Sequence, residues 1–195
     1  MARKLVAANP RKGLDIDAIA LRIIKKFQPK VLIKPTHFNT EEFFEFDLEK
    51  VSGVKTDYRV LPTGIYGVTD SDKKVSIISS DLMEDSSQIK FTRSTMAHET
   101  GHVLIHVPEF RLKKALLKSI HDDEHASLRM YRECDIPIFR NPEWQAWRFA
   151  GALLMPATTF KAAIQQGYDE YDLSDAFQVN RAFVRTRMRA LKIAF

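Results

Sequence analysis

The feature that most constrains this chain is the pentapeptide His98-Glu99-Thr100-Gly101-His102, which lies in a stretch whose pattern predicts a helix over residues 91–106. On a helix, side chains four residues apart lie on one face, with Cβ atoms about 5–6 Å apart. Two imidazoles at that spacing can hold one zinc ion from the same side, and the glutamate between them can accept a proton from a water molecule. The pentapeptide therefore predicts a zinc-dependent hydrolase, and specifically a peptidase.

The alternative interpretation is a pair of surface histidines on an ordinary amphipathic helix. Gly101 speaks against it, because a glycine in mid-helix costs about 1 kcal/mol relative to alanine and indicates that a close neighbour, such as a strand or the substrate, needs the space. Burial speaks against it too, because buried histidine and glutamate side chains need partners. The flanking residues that predict burial are Met96, Ala97, Val103, Leu104 and Ile105.

Length and composition predict one folded domain. The chain has 195 residues, of which 45% are hydrophobic and 28% charged, and its net charge of +5 leans only mildly toward acidic partners. The single cysteine, Cys134, excludes an internal disulfide, and we find neither an apolar run long enough to span a membrane nor the apolar core of a signal peptide. We expect a cytoplasmic protein without a membrane partner, with a basic tail at residues 1–14 and a single domain at residues 15–195 that includes the helical segment 168–195.

Apolar periodicity predicts helices on both sides of a small sheet. The clearest helix begins at Asn141-Pro142, an N-cap followed by proline at the first helical position, and ends before Pro156. The expected fold class is α+β: a mostly helical single domain with a small antiparallel sheet packed on the pentapeptide helix. Strands are predicted at residues 58–61, 64–68 and 75–78. Further helical segments are predicted from Asp15 to Phe27, between Asn39 and Gly53, less regularly from Pro108 to Arg132, up to Gly167, and over residues 173–177 and 181–193.

A catalytic zinc usually has three protein ligands, so one more is needed. His106 is unsuitable, because a straight helix would place it about 12 Å along the axis from His98; we interpret it as a structural or supporting residue. Position 108, where a third histidine ligand would lie in an extended form of the motif, is a proline. Glu143 lies in the first turn of a well-capped apolar helix, where it could be a ligand or could complement the positive helix end. Spacing alone leaves both interpretations open.

These segments together resemble the ImmA/IrrE-type metallo-endopeptidases. The resemblance rests on residues 98–106, on Glu143-Trp144-Gln145-Ala146 and on residues 149–156, and residues 179–191 are similar to the closing helix of that family. It covers roughly residues 15–193. The chain departs from the family pattern at Trp147, where an asparagine is usual, and in the length of the segment 107–141.

The resemblance implies a zincin-like fold with a gluzincin-type site. In such a site His98, His102 and Glu143 would hold one Zn²⁺ per chain, and Glu99 would be the catalytic base. It also implies a cytoplasmic protein of a bacterium or mobile element. The implied activity is endopeptidase cleavage of a regulatory protein, with a transcriptional repressor or an antitoxin as the substrate.

Several residues have open roles. Tyr131, His121 and His125 are candidates for stabilising the oxyanion, although each is more simply a surface residue. The strand at residues 64–68 or the strand at residues 75–78 could bind the substrate backbone by edge addition. Cys134 is interpreted as a small core residue, and alternatively as a thiolate that occupies the open position of the metal.

A different class of function is nucleic-acid binding or the docking of a regulator, with a structural or inactive metal site. Arg181, Arg185 and Arg189 fall on one helical face, and residues 173–177 with the following helix outline a helix-turn-helix. We interpret this face as a solvated basic surface and expect a protein substrate rather than nucleic acid as the partner.

Overall fold

Helices surround a small sheet in the computed structural model of this protein, which describes residues 3–121 and 127–193. Two π-helical turns, Phe43–Asp47 and His102–His106, connect α2 to α3 and α5 to α6. The elements in chain order are β1 (Lys4–Val6), α1 (Gly13–Phe27), α2 (Thr40–Glu42), α3 (Leu48–Ser52), β2 (Lys55–Arg59), β3 (Gly67–Asp70), β4 (Val75–Ser79), α4 (Ser80–Glu84), α5 (Ile89–Gly101), α6 (Val107–His121), β5 (Met130–Arg132), α7 (Pro142–Leu154), α8 (Ala157–Gln165), α9 (Glu170–Phe177) and α10 (Arg181–Leu191).

The fold class predicted from the sequence, α+β with a mostly helical domain, is confirmed. The pairing of the strands differs from the prediction at one strand. Its strand order is β2-β4-β3, and β3 pairs antiparallel with β4 as predicted. However, β2 pairs parallel with β4, from Lys55 opposite Val75 to Arg59 opposite Ser79. The reason is burial: β4 is the most apolar strand, so the β3–β4 hairpin folds back and places β4 in the centre, where Ile78 is fully buried.

The long helix that carries the pentapeptide continues past Pro108. Proline lacks an N–H and its ring crowds the preceding turn of an α-helix. Here the wider π turn His102–His106 comes directly before it, and the N–H of Val107 donates to the carbonyl of His102. The helical run therefore extends to His121 without the irregularity expected from the sequence.

A two-stranded ribbon replaces part of the helical segment expected up to Arg132. Residues 122–126 lie outside the described residues, but Met130–Arg132 is strand β5, paired antiparallel with β1, so the helical prediction is wrong there. Strand β1 belongs to the segment expected as a basic tail. In the structure this segment lies against the domain, with Ala8 fully buried and its N–H bonded to the carbonyl of Arg140 at 2.9 Å.

The core lies between α1, α5 and α7. Helix α7 is central, because α5 packs on one side of it and α1 on another. Its start follows the sequence prediction: the Asn141 side chain accepts hydrogen bonds from the N–H groups of Glu143 and Trp144 at 2.8 and 3.2 Å. The buried side chains that form this core include Ile16, Ala20, Ile24, Met96, Ala97, Phe149, Ala150 and Leu153.

Among the described residues, no helix is both long enough and apolar enough to cross a lipid bilayer.

Candidate metal centre

Three side chains with metal-ligating atoms converge where α5 crosses the first turn of α7. The Nε2 atoms of His98 and His102 are 3.1 Å apart. Glu143 brings Oε2 to 3.3 Å from His98 Nε2 and Oε1 to 3.5 Å from His102 Nε2. Tetrahedral coordination with bonds of about 2.0–2.2 Å places ligand atoms about 3.3–3.6 Å apart. The spacing of these atoms therefore fits a zinc-sized ion among them.

The close approach of the two helices explains how Glu143 reaches the histidines. A Cβ atom on Gly101 would lie 3.1 Å from the Cα of Ala146 and 3.1 Å from Cδ1 of Phe149. The space that the sequence predicted around Gly101 is thus taken by α7, and not by a strand or the substrate. Because Glu143 lies three residues before Ala146, this contact holds its carboxylate beside the histidine face of α5.

The electrostatics of the cluster favour a neutral His98 and an ionised Glu143. Burial lowers the pKa of His98, and the hydrogen bond and charge of Glu143 only partly oppose this. Burial alone would raise the pKa of Glu143, but the hydrogen bonds and charges of His102 and His98 outweigh it and hold the pKa well below the usual range of a carboxyl group. A neutral imidazole and a carboxylate are the protonation states that bind a metal.

A chain of hydrogen bonds fixes the proton on His102. The Gln145 amide donates to the carbonyls of Asn9 and Phe139, both at 2.9 Å, so its Oε1 atom is an acceptor. Oε1 faces His106 Nε2 at 3.2 Å, which must carry a proton in order to donate. Burial, followed by the nearby His102, lowers the pKa of His106 well below its usual value, so this imidazole is neutral and its Nδ1 has a free lone pair.

This hydrogen-bond chain also determines which nitrogen of His102 carries a proton at the candidate metal centre. His106 Nδ1 lies 3.1 Å from Nδ1 of His102 and accepts its proton in a hydrogen bond. In the neutral form of His102 this leaves the lone pair on Nε2, which faces Glu143 Oε1 at 3.5 Å. Such an arrangement is unfavourable on its own and is stabilised by a cation between the two groups. His106 thus lies outside the cluster of His98, His102 and Glu143 and contacts it through His102.

Charged residues from distant parts of the chain surround this hydrogen-bond chain. Arg11 donates from Nη1 to Gln145 Oε1 at 3.0 Å and to Glu109 Oε2 at 2.7 Å. Glu109 is buried, and it also accepts from the backbone N–H of Asn9 and from Lys113 at 2.7 Å. These bonds attach the segment before α1 to α6 and α7, and they hold Gln145 in place.

Glu99 lies beside strand β3, where two features fix its carboxylate. Thr69 donates to Glu99 Oε2 at 2.6 Å. A Cβ atom on Gly67 would lie only 2.7 Å from Cγ and 2.8 Å from Oε1 of Glu99, so the absence of a side chain at position 67 makes room for the glutamate. Within the described residues Oε1 has no hydrogen-bond partner, which leaves it available as a proton acceptor.

On its Nδ1 side, the His98 ring is held by packing rather than by a hydrogen bond. The Trp147 ring lies 4.2 Å from the His98 ring between centroids. Nδ1 of His98 is buried and has no hydrogen-bond partner in the described part of the chain. Trp147 is the position at which the family pattern has an asparagine, so this chain replaces a polar neighbour with an aromatic contact.

Arg3 is a second neighbour of Glu143. Its Nη2 atom lies 3.1 Å from Glu143 Oε1. The Arg3 side chain is 59% exposed, so the contact is open to solvent. Arg3 directly precedes β1, and the pairing of β1 with β5 brings it to the candidate metal centre.

The other candidates from the sequence lie in different surroundings. Tyr131 is in β5 with the guanidinium of Arg129 5.0 Å from its ring, His121 is exposed at the end of α6, and His125 lies outside the described residues. Cys134 is exposed and its thiol contacts Asp135, so its interpretation as a core residue is wrong. Within residues 3–121 and 127–193, no contact links the Cys134 thiol to the candidate metal centre. The alternative role of Cys134 as a thiolate that caps the metal therefore has no support from its position.

The basic face of α10 is partly compensated by one carboxylate, Glu170. Arg185 forms an ion pair with Glu170 at 2.7 Å, and Arg181 lies 3.9 Å from the same carboxylate and stacks over Tyr171. Arg189 is exposed. Two of the three arginines that suggested nucleic-acid binding are therefore engaged with α9.

Sequence reasoning missed several residues that surround the cluster. Thr69 and Arg11 lie far from the pentapeptide in sequence, and no local pattern distinguishes them from other surface residues. Gln145 does carry a signal, because it stands within the family-like segment beside Glu143, but its link to His106 depends on the crossing of α5 and α7. Gly67 is detectable only as a glycine within a predicted strand.

Comparison with known proteins gives a family and a fold. The Peptidase M78 family model, described as the IrrE N-terminal-like domain, matches residues 91–189, which is just over half of the chain. A solved structure of a Mycobacterium tuberculosis transcriptional regulator is similar with a TM-score of 0.56 and 20% identity, over 89% of this chain and 46% of that chain. This chain thus spans about half the length of that structure, and the likeness concerns the fold alone. No curated protein sequence matched significantly.

Proposed function

Because this chain belongs to the IrrE N-terminal-like family of Peptidase M78, we propose that it is a zinc-dependent endopeptidase that cleaves a regulatory protein. A transcriptional repressor or an antitoxin is the proposed substrate. The observation that carries the proposal is the convergence of His98, His102 and Glu143, whose ligand atoms all lie within 4.8 Å of one another. The domain would comprise residues 15–195, with the ribbon of β1 and β5 attached to it.

His98, His102 and Glu143 would hold the zinc ion through Nε2, Nε2 and the carboxylate. When bound, zinc lowers the pKa of water toward about 7 and polarises a carbonyl group. The protein's part is to keep the buried His98 neutral and to orient the ligand nitrogens, and for His102 the orientation comes from His106 and Gln145.

Glu99 would move the proton. Thr69 occupies Oε2, so Oε1 is the atom that takes a proton from the attacking water and passes it to the leaving amine of the peptide. The hydrogen bond from Thr69 fixes the carboxylate in one orientation. This restriction favours proton transfer, because the acceptor does not have to be oriented during the reaction.

Strand β3 is the proposed site for the substrate backbone. Strand β4 has partners on both edges, so of the two strands considered from the sequence only β3 has an edge without a partner in the described residues. An extended peptide along β3 would run beside Glu99. Proline substitutions along β3 should reduce cleavage, and unchanged cleavage would exclude this binding mode.

The test of the metal centre is the zinc content of the purified protein and of Glu143→Ala. We expect close to one zinc per chain in the wild type and a sharp fall in the variant, measured by elemental analysis. Glu49→Ala is a matched control, since Glu49 lies in the short helix α3 away from the cluster. Retention of zinc by Glu143→Ala would move the third ligand elsewhere, and absence of zinc from every protein would overturn the proposal.

Catalysis is tested separately with Glu99→Gln. The variant should bind zinc as the wild type does and should lose cleavage of the regulatory protein, because the amide cannot accept a proton. If Glu99→Gln keeps the full biological effect, the chain is instead a regulator-docking protein whose metal site is structural.

A further inference from the structure

A groove beside the candidate metal centre is rich in basic residues. It encloses about 760 Å³ between the start of α1, one side of α7 and the end of α10. None of its lining residues in the described chain is an aspartate or glutamate, although the whole chain has 25 acidic residues beside 30 basic ones. Its basic lining residues are Lys12, Arg148, Lys161, Arg187, Arg189 and Lys192.

Within the described residues, four of these six cations have no carboxylate partner. Asp17 lies close to the groove and pairs with Arg148 at 2.7 Å and with Arg187 at 3.2 Å. No carboxylate of the described residues pairs with the other four, which are all exposed: Lys12, Lys161, Arg189 and Lys192. The groove therefore presents a concentrated positive charge that attracts an anionic partner.

The groove is also apolar, and it adjoins the cluster of His98, His102 and Glu143. Both tryptophans of the chain, Trp144 and Trp147, line it together with Phe183. Trp147 is 38% exposed, and its ring contacts the His98 ring. One indole thus touches the groove on one side and a proposed zinc ligand on the other, so the groove adjoins the site.

We propose that this groove binds a segment of the protein substrate in which acidic residues alternate with apolar ones. The inference rests on the proposed function, since it assigns the groove to the polypeptide that is cleaved. Aspartate and glutamate side chains would pair with the four free cations, and apolar side chains would pack on Trp144, Trp147 and Phe183. A polypeptide fits better than nucleic acid, because the groove is a concave pocket of side-chain dimensions and two of the three arginines on the outer face of α10 are engaged with α9.

The two tryptophans line the groove, so their fluorescence reports binding of a peptide there directly. We would titrate Glu99→Gln protein, which cannot cleave, with a capped twelve-residue peptide that repeats Glu-Leu-Glu-Gly. Tryptophan emission should change and saturate, and a peptide that repeats Lys-Leu-Lys-Gly should cause no change. In protein that also carries Trp144→Phe, the remaining signal comes from Trp147 and should persist.

Charge-reversal variants test whether the acidic peptide binds in the groove. Lys161→Glu combined with Arg189→Glu should weaken binding of the acidic peptide roughly tenfold, because two attractions become repulsions. The matched control is Lys30→Glu combined with Lys34→Glu, two exposed lysines outside the groove, which should change affinity less than twofold. Both doubly substituted proteins should unfold at the same urea concentration as the parent.

Three results would overturn the proposal: no binding of the acidic peptide, equal weakening by both charge reversals, or tighter binding of a twelve-nucleotide thymidine strand through Lys161 and Arg189. The measurement does not depend on cleavage or on zinc content. Failure of the endopeptidase proposal therefore appears in the zinc and cleavage experiments, whereas failure of the groove proposal appears here.

Discussion

At the scale of single residues, the protonation of His102 is controlled by a residue that does not belong to the proposed ligand set. We predict that His106→Phe lowers zinc affinity about 10–100-fold, since it removes the Nδ1 acceptor that holds the His102 proton and leaves a ring of similar size. Competition with a chromophoric chelator measures this change. A proton–nitrogen correlation spectrum of the metal-free protein should show His102 protonated on Nδ1 in the wild type and mixed in the variant.

A control separates this effect from packing. Phe110 stacks on His106 with centroids 5.7 Å apart but has no polar link to His102. Phe110→Leu should therefore leave zinc affinity within about twofold of the wild type, because the hydrogen-bond chain remains intact. Equal affinity in His106→Phe and the wild type would contradict the role of His106.

The same residues show how far sequence reasoning reaches at this scale. The pairing of His98 with His102 follows from helical periodicity, so it can be read from the chain directly. Spacing alone does not decide whether Glu143 is the third metal ligand, and only the resemblance to a family favours it. Gln145 could not be assigned, because its two donor bonds go to carbonyls of Asn9 and Phe139, and such contacts depend on the tertiary fold.

At the scale of elements, the fit of β3 against α5 depends on one missing side chain. We predict that Gly67→Ala reduces cleavage at least tenfold while zinc content is unchanged, since the new Cβ would displace the Glu99 carboxylate from Thr69. Steady-state cleavage and elemental analysis of the same preparation measure the two quantities. Gly151→Ala is a control for zinc content and folding only, because its Cβ would meet Arg187 at an ordinary 3.6 Å but Gly151 lines the groove described above.

The helical run α5–α6 carries two buried neutral histidines, and this makes its stability depend on pH. Burial lowers the pKa of both His98 and His106 below the usual 6.5, so the unfolded chain takes up protons at a higher pH than the folded protein. The free energy of unfolding of the metal-free protein should therefore fall as the pH decreases from about 6.5 through the lower folded-state pKa values.

Urea unfolding of chelator-treated protein between pH 7.5 and 5 measures this dependence. His106→Phe lacks one of the two histidines, so its stability should vary less steeply with pH than that of the wild type. Identical slopes in the two proteins would show that His106 does not stay neutral in the folded state.

Element boundaries were predictable where periodicity and capping agree. Helix α7 begins at Pro142 after the Asn141 cap, as expected, and α1 ends at Phe27. The pairing of β2 was not predictable, because adjacent strands in sequence usually form hairpins and only burial of β4 places it between its neighbours. Strand β5 was not predictable either, since its three residues are all exposed and carry no alternation.

At the scale of the whole molecule, the segment before α1 connects distant parts of the fold. Arg3 reaches Glu143, and Asn9 and Arg11 reach Glu109 and Gln145, across sequence separations of about a hundred residues or more. Basic composition made this segment resemble a tail. Its ordered contacts could not be derived from composition, because they depend on the positions of α6 and α7.

A second long-range contact joins α1, near the start of the chain, to α7 and to α10, near its end. Asp17 on α1 accepts hydrogen bonds from Arg148 on α7 and Arg187 on α10, and Arg187 is almost fully buried. Asp17→Asn should lower the free energy of unfolding by about 3 kcal/mol, since it leaves buried guanidinium charges without a counter-ion. Urea unfolding measures the change, with Asp72→Asn as control: that carboxylate pairs with Lys114 at the surface, so its loss should cost under about 1 kcal/mol. If the two variants were equally stable, the pairs of Asp17 would contribute no more than a surface contact, and the closure of α10 onto α1 and α7 would rest on apolar packing alone.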